Sequence, residues 1–357
     1  MESKNICIVS PSLNIGGIER ALSVLAKHFV SRGHRVTFIS CLAGNKFYEL
    51  DPRVAFIEPH FKRTVSKLNK ALYYPRMTLW LRKEVKKVDP DVVLSFGDWF
   101  NPLVLMALYG LKYPVYISDR TSPDFNFHPS VQFLKKRMYP RSTGFIAQTK
   151  RAADYKIKHF NNRLNIKIIP NAIKDVQVYD VPKQNWIISV ARLSVEKGPD
   201  RLLEAFQYVK RDGWKLVFAG SGPMHKELQL RAETLQLQDD VVFLGQVKDV
   251  DKLLSEASIF VLPSRLEGFP NALCEAMAAG LPSICFDCIP SGDVITNGVD
   301  GYIVPDGDLK GLAEKINYLI DNPDVRHSVS NNATMIKERL SQDKIGDMYL
   351  EFLLNNK

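Results

Sequence analysis

Residues 259–280 read IFVLPSRLEGFPNALCEAMAAG. The opening run, Ile259-Phe260-Val261-Leu262, is apolar without alternation, as in a parallel strand buried on both faces. Residues 271–280 are small and apolar and read as a helix stopped by Gly280 and Pro282. A loop therefore leaves the carboxyl end of a strand and enters a helix N-terminus. Glu267 lies on that loop, and Glu275 about one turn into the helix. Gly268 lets backbone approach a ligand closely, and the helix N-terminus offers N–H groups to an anion. Ionised carboxylates at such a place suit sugar hydroxyls, through charge-assisted hydrogen bonds. A capping glutamate beside a solvated helix glutamate accounts for the same residues.

The same strand–loop–helix grammar stands upstream. Residues 186–191 form an apolar strand, followed by Arg192-Leu-Ser-Val-Glu-Lys197-Gly198 and a helix from Pro199. Open α/β sheets bind ligands at the carboxyl ends of their strands. A guanidinium and an ammonium at one such mouth can clamp a diphosphate without a metal. Two basic loop residues are more often solvated surface; the pair gains meaning from the two glutamates that follow it.

The alternation runs through the chain. Strands are expected at 6–10, 35–40, 54–57, 91–95, 115–118, 144–147 and 167–169, with helices near 17–31, 64–88, 100–109, 130–139 and 150–159. Residues 170–185 carry no sustained period and read as a linker. Strands at 186–191, 215–219, 241–244, 258–262, 283–286 and 302–304 follow. The last segment places Ile345, Met348, Tyr349, Phe352 and Leu353 on one helical face. This is an α/β chain with parallel sheets and helices on both faces.

Arg192 and Lys197 followed by Glu267 and Glu275 resemble the retaining, nucleotide-sugar-dependent glycosyltransferases of family 4, which have the two-domain B-type fold. The resemblance covers nearly the whole chain. Residues 14–21, NIGGIERA, resemble that family's N-terminal glycine loop. Residues 242–247, VFLGQV, resemble its base-pocket strand, and 297–304, NGVDGYIV, its late turn and strand. Within the family the chain is most similar to bacterial enzymes that extend polyprenyl-diphosphate-linked glycans.

The resemblance implies two Rossmann-like domains, 1–175 and 176–340, with a cleft between them and a final helix, 341–357, returning to the first. It implies a UDP-hexose or UDP-N-acetylhexosamine as co-substrate, with no cofactor and no metal. Arg192 and Lys197 would stabilise the leaving diphosphate and Glu275 would hold the ribose. Glu267, with the backbone of Gly268, Phe269, Pro270 and Asn271, would orient the donor sugar. Gly16, Gly17, Gly220 and Val247 would line the substrate site. Many members carry a histidine where this chain has Asp119 and Arg120. Asp119 is therefore a candidate catalytic residue and Arg120 a substrate contact, with a strand-end cap as the plain alternative for Asp119. Asp98 is a second candidate near that face.

Two Asp-x-Asp pairs, Asp249/Asp251 and Asp306/Asp308, look like metal-binding signatures. Both precede expected helices, where aspartate is a common cap. Gly220-Ser-Gly222-Pro223 invites a dinucleotide reading, but His225 stands where the third glycine belongs, which disfavours a nicotinamide oxidoreductase. Cys285 and Cys288 have no second pair with which to build a zinc site.

The formal charge is +9. Residues 1–177 carry 29 Lys and Arg against 13 Asp and Glu, and residues 178–357 carry 19 against 26. The first half thus stands at +16 and the second at −7. Arg63, Lys67 and Lys70 share one helical face and Arg76, Lys83 and Lys87 another, beside apolar residues. Pro75 is expected to break or kink the segment into a basic amphipathic hairpin. Such a hairpin suits an anionic inner-leaflet surface or a lipid diphosphate; a solvated face is the plain alternative.

No nucleic-acid motif accompanies these charges. The first apolar stretch is too short for a signal peptide, and the longest, 102–111, is too short to span a bilayer. The expected place is the cytoplasm, peripheral on the plasma membrane. A UDP-sugar epimerase of the same fold and a non-enzymatic basic binding protein are the rival readings.

Overall fold

The structure is a computed structural model. It describes residues 2–44, 46–61 and 67–355, with backbone alone for 67–71. Arg63 lies outside the described residues, as do the side chains of Lys67 and Lys70. The chain forms two compact units, Met1–Ala172 with Gln342–Lys357, and Ile173–Ser341.

In the first unit the strands are β1 (Asn5–Ser10), β2 (Arg35–Ser40), β3 (Ala55–Ile57), β4 (Val92–Phe96), β5 (Val115–Ser118), β6 (Gly144–Ala147) and β7 (Ile166–Ile168). Among the described residues they make one sheet in the order β3-β2-β1-β4-β5-β6-β7. Every pairing is parallel, with Ile6 opposite both Val36 and Val92. The helices are α1 (Gly17–Ser31), α2 (Lys67–Val88), α3 (Asn101–Leu108), α4 (Pro129–Met138) and α5 (Lys150–His159). The path from β1 to β2 steps toward one edge, and the path from β3 onward steps toward the other. Right-handed crossovers therefore put α1 on one face and α2 to α5 on the opposite face. The order reverses between β1 and β4. The loops after those two strands, carrying Gly16-Gly17 and Asp98, lie at this switch point.

The expected break at Pro75 is corrected: α2 runs through it as one helix from Lys67 to Val88. Proline removes one backbone bond. The buried stripe Tyr73, Met77, Leu81 and Val85 seats residues on both sides of it in the core, and Tyr73 Oη donates to Cys41 O at 2.7 Å. Tertiary burial outweighs the local cost.

The second unit has β8 (Trp186–Val190), β9 (Lys215–Ala219), β10 (Val241–Gly245), β11 (Ile259–Leu262), β12 (Ser283–Phe286) and β13 (Tyr302–Val304), ordered β10-β9-β8-β11-β12-β13 and parallel throughout. Its helices are α6 (Pro199–Phe206), α7 (His225–Thr234), α8 (Val250–Glu256), α9 (Asn271–Ala278), α10 (Leu309–Asp321), α11 (Pro323–Ala333) and α12 (Ile336–Arg339). The core packs Leu202 and Phe206 of α6 and Leu312 and Ile316 of α10 against Phe218, Val261 and Phe286 of the sheet. Residues 174–184 contain no helix or strand but are laid along α8. Asp251 takes Lys174 Nζ at 2.5 Å, Ser255 Oγ takes Tyr179 N at 3.0 Å, and Glu256 O takes Gln184 N at 2.7 Å.

The final helix, α13 (Gln342–Leu354), belongs to the first unit and packs on α1. His28 of α1 is buried between Asp347 at 2.9 Å and Asp343 at 3.3 Å. Glycine makes room twice. A Cβ at Gly346 would lie 2.3 Å from the His28 ring, and one at Gly144 would lie 2.7 Å from Tyr116 and 2.8 Å from Phe352.

Candidate active site

β8 and β11 are neighbours at the point where the second sheet reverses order. The loops leaving their carboxyl ends hold the basic pair and the first glutamate, and they are zipped together. Arg265 N and Leu266 N donate to Glu196 O at 2.8 and 3.2 Å. Arg265 Nη1 reaches Val195 O at 2.9 Å, and its guanidinium takes Asp200 in two bonds of 2.8 and 2.5 Å. Gly198 sits in the left-handed region at φ 62°, and a Cβ there would fall 2.2 Å from Pro263 O. Only glycine permits that backbone approach.

The zipped loops bring Lys197 Nζ to Glu267 Oε1 at 2.7 Å, and Ser264 Oγ donates to the same oxygen at 2.9 Å. The Glu267 side chain is 9 % exposed and Lys197 is 29 % exposed. One face of this ion pair is therefore set by the protein while the ammonium keeps access to solvent. Arg192, at the end of β8, is exposed. Its loop is held from the other side by the β9–α7 connection, where Leu193 N donates to Ser221 O at 3.1 Å and Met224 N to Leu193 O at 3.0 Å. Gly268 and Asn271 are half-buried beside this pair, while the ring of Phe269 is buried in the core. Phe269 can therefore offer a ligand backbone but not its side chain. Pro270 precedes the first turn of α9, and Glu275 lies half-buried within that helix.

Gly220 serves the scaffold. At φ 145° its missing Cβ would lie 1.9 Å from Ala191 O, and Gly222's would lie 2.2 Å from Leu193 O. Both glycines let the β9–α7 loop press on the basic loop, and Gly220 stays half-buried there. Gly220 N also donates to Gly245 O at 2.7 Å, bringing the loop of half-buried Val247 alongside.

The Asp-x-Asp pairs have internal uses. Asp249 caps α8 through Lys252 N at 3.0 Å, and Asp308 caps α10 through Gly311 N at 2.8 Å. Asp251 holds the linker, and Asp306 pairs with Arg201 at 2.7 Å.

In the first unit Gly16 and Gly17 open α1, and Glu19 folds back over Gly16 and takes Ser12 Oγ at 2.8 Å. Asp119, the candidate catalytic residue, ends in a buried ion cluster. It is buried, and its carboxylate is filled by Lys156, by Lys135 at 2.9 Å and by the Tyr139 hydroxyl. Burial works to raise its pKa, but the Lys156 and Lys135 ammonium groups outweigh burial and hold the carboxyl well below its usual range. Both carboxylate oxygens are engaged in this cluster. Arg120 stacks 3.5 Å over the Phe96 ring, donates to Asn171, and reaches Tyr349 Oη of α13 at 2.8 Å. Sequence reasoning missed Lys135, Lys156 and Tyr139, because burial of a lysine leaves no trace in spacing. It also missed Ser264 and the Arg265–Asp200 clamp, whose signal was their place beside Glu267 and Gly198.

Two family models match the chain, one to each half: "Glycosyltransferase Family 4" over residues 15–176 and "Glycosyl transferases group 1" over 173–335. The chain belongs to the family 4 glycosyltransferases. It is 28 % identical, across 98 % of its length and 97 % of the relative's, to a Campylobacter jejuni α-1,4-N-acetyl-D-galactosaminyltransferase named for a GalNAc-GalNAc-diNAcBac-PP-undecaprenol acceptor. A second Campylobacter jejuni enzyme, an N-acetylgalactosamine-N,N'-diacetylbacillosaminyl-diphospho-undecaprenol 4-α-N-acetylgalactosaminyltransferase, is 26 % identical over 96 % of this chain and 97 % of its own. In fold this glycosyltransferase resembles Anabaena HepE, solved with UDP and glucose, at a TM-score of 0.82 and 18 % identity, covering 99 % of this chain and all of that one. Both sheets are thus those of the B-type glycosyltransferase fold.

Proposed function

We propose that this glycosyltransferase moves a hexose or N-acetylhexosamine from a UDP-sugar to a hydroxyl of a polyprenyl-diphosphate-linked glycan, with retention of configuration and without a metal. The observation that carries the reading is the Lys197–Glu267 pair of 2.7 Å beside exposed Arg192 on two interlocked loops at a switch point. As the bond between the sugar and the diphosphate breaks, negative charge grows on the departing oxygen. The held ammonium of Lys197 and the exposed guanidinium of Arg192 stabilise that charge more in the transition state than in the ground state. Glu267 fixes the ammonium in place and offers its remaining oxygen to the donor sugar. Glu275 takes the ribose hydroxyls. The acceptor hydroxyl attacks from the face the diphosphate leaves.

The two Campylobacter relatives, both named for undecaprenyl-diphosphate-linked acceptors, support the acceptor class. The basic first half supports an anionic inner-leaflet surface, and no described helix is long and apolar enough to cross a membrane. The first unit is proposed as the acceptor side and the second as the donor side.

The test is a panel of UDP-sugars offered with short-chain polyprenyl-diphosphate glycans and read by mass. One donor should add its hexose or N-acetylhexosamine with release of UDP. Transfer should persist in excess EDTA; loss restored by Mn²⁺ or Mg²⁺ would contradict the metal-free mechanism. Interconversion of UDP-sugars with no acceptor present would favour an epimerase.

A further inference from the structure

Asp98 follows β4 at the switch point of the first sheet and is 5 % exposed. Its neighbour Gly97, at φ 121°, backs onto Pro11 and Ile18 of the glycine-loop region, where an added Cβ would come within 3.8 and 3.7 Å of their side chains. On its other side Asp98 grips the loop that follows β5. Oδ2 accepts from Arg120 N at 2.9 Å and from Thr121 N at 3.1 Å. Oδ1 accepts from Lys135 Nζ of α4 at 2.9 Å.

Two consecutive backbone N–H groups converging on one buried carboxylate oxygen define the conformation of residues 119–122. Buried backbone N–H groups are costly to leave without an acceptor. Asp119 is committed to Lys156, so Asp98 is the carboxylate that ties the β5–α4 loop to the glycine-loop side of the switch point. Burial, aided by the Asp119 charge, pushes the Asp98 carboxyl pKa upward. Either protonation state keeps an oxygen for the two N–H groups.

We infer that Asp98 is a positioning residue: through the backbone of Arg120 and Thr121 it holds the β5–α4 loop in the form that receives the acceptor. The inference rests on the proposed assignment of the first unit to the acceptor. Its distinguishing feature is that the backbone bonds matter and the ion pair with Lys135 does not. Asp98→Asn keeps a carbonyl oxygen for Arg120 N and Thr121 N but gives up the charge. Asp98→Ala gives up both. Lys135→Met removes the ion pair and leaves the backbone bonds, while Asp119 keeps Lys156.

The experiment compares these three variants and the parent by amide hydrogen exchange and by steady-state transfer. In the parent, the amides of Arg120 and Thr121 should be protected at least about a hundredfold over a free peptide; exchange at the free rate overturns the inference without any variant. Asp98→Ala, which loses both backbone bonds, should speed both amides at least about tenfold and raise the acceptor KM by about tenfold. The donor KM should stay within about twofold. Asp98→Asn and Lys135→Met should leave the acceptor KM within about threefold. If Asp98→Asn matches Asp98→Ala, or Lys135→Met matches both, Asp98 is only a counter-ion and the inference falls. A parent that transfers no sugar defeats the proposed function, while the exchange data still decide whether Asp98 holds the loop.

Discussion

At Lys197 and Arg192 two cations of one motif have different structural standing. Lys197 is paired with Glu267, whose side chain is 9 % exposed, so Lys197→Ala leaves a mostly buried carboxylate with Ser264 alone. That variant should lose at least about a hundredfold in turnover and also about 1–3 kcal/mol of stability. Arg192 is exposed, so Arg192→Ala should lose comparable turnover with an unchanged melting temperature. Steady-state transfer read beside thermal melting separates the two, and near-normal turnover in both variants would remove the diphosphate assignment. The motif was legible because residue type and spacing carry it. That Lys197 is half of an ion pair was not legible, since Lys197 and Glu267 meet only where β8 and β11 become neighbours.

Among the elements, α13 is attached to α1 by a contact that leaves no room. Gly346 lies inside a helix, where alanine would ordinarily gain about 1 kcal/mol. The added Cβ would sit 2.3 Å from the His28 ring, which is buried and held between Asp343 and Asp347. Overpacking costs about 1–3 kcal/mol and should win. Gly346→Ala is therefore expected to lower the melting temperature, and the same substitution in a His28→Ala background should raise it. Stabilisation by Gly346→Ala alone would show that the two helices separate easily. The periodicity of 345–353 foretold a helix and its apolar face, but not this seat: glycine reads as a weakness in a helix until its neighbour is known.

Helix α2 is the second element with a testable surface. Leu72 and Leu79 are 62 % and 70 % exposed, and Arg76, Lys83, Lys86 and Lys87 are exposed with them. Arg76 stacks 4.3 Å over Phe61, and Lys87 is paired with Glu84 at 2.8 Å, so Lys83 and Lys86 are the better placed charges. Each basic side chain near an anionic leaflet contributes about 1 kcal/mol, screened by salt. Neutralising Arg76, Lys83 and Lys87 together should weaken binding to anionic vesicles about tenfold or more at low salt. Slow hydrolysis of the donor should be unaffected. Adding Lys86→Gln should weaken binding further. Equal binding by parent and variants in vesicle flotation would make this face merely solvated. Neutralising Arg63, Lys67 and Lys70 is the companion test on the preceding stretch.

Over the whole molecule, thiol burial sets an alkaline limit. Burial pushes the Cys7 thiol up to about 12, and burial with Asp306 beside it pushes Cys288 up to about 11; Cys41, Cys274 and Cys285 shift the same way. Folded values raised above the unfolded ones mean that the unfolded chain releases these protons first. The stability they contribute is whole below the ordinary thiol pKa of about 8.5 and is lost as pH rises toward the folded values. Urea midpoints should hold from about pH 7 to 8.5 and fall from about 9 to 11. A midpoint that rises over that interval would contradict the burial of these thiols. The sequence by itself determined the alternation of strands and helices, the two-sheet parallel class, the family and the basic and acidic motif loops. The elements and the sheet class follow from local period, the motif loops from residue types next to strand ends, and the family from the resemblance those motifs carry. Only the tertiary structure decided that Pro75 is carried within one helix, that Gly220 presses on the backbone of the basic loop, and that Asp119 pairs with Lys156 while Asp98 takes the N–H groups of Arg120 and Thr121. Each depends on which side chains and carbonyls, distant in the chain, arrive at one place in a sheet, and burial fixes what a charged or flexible residue must then do.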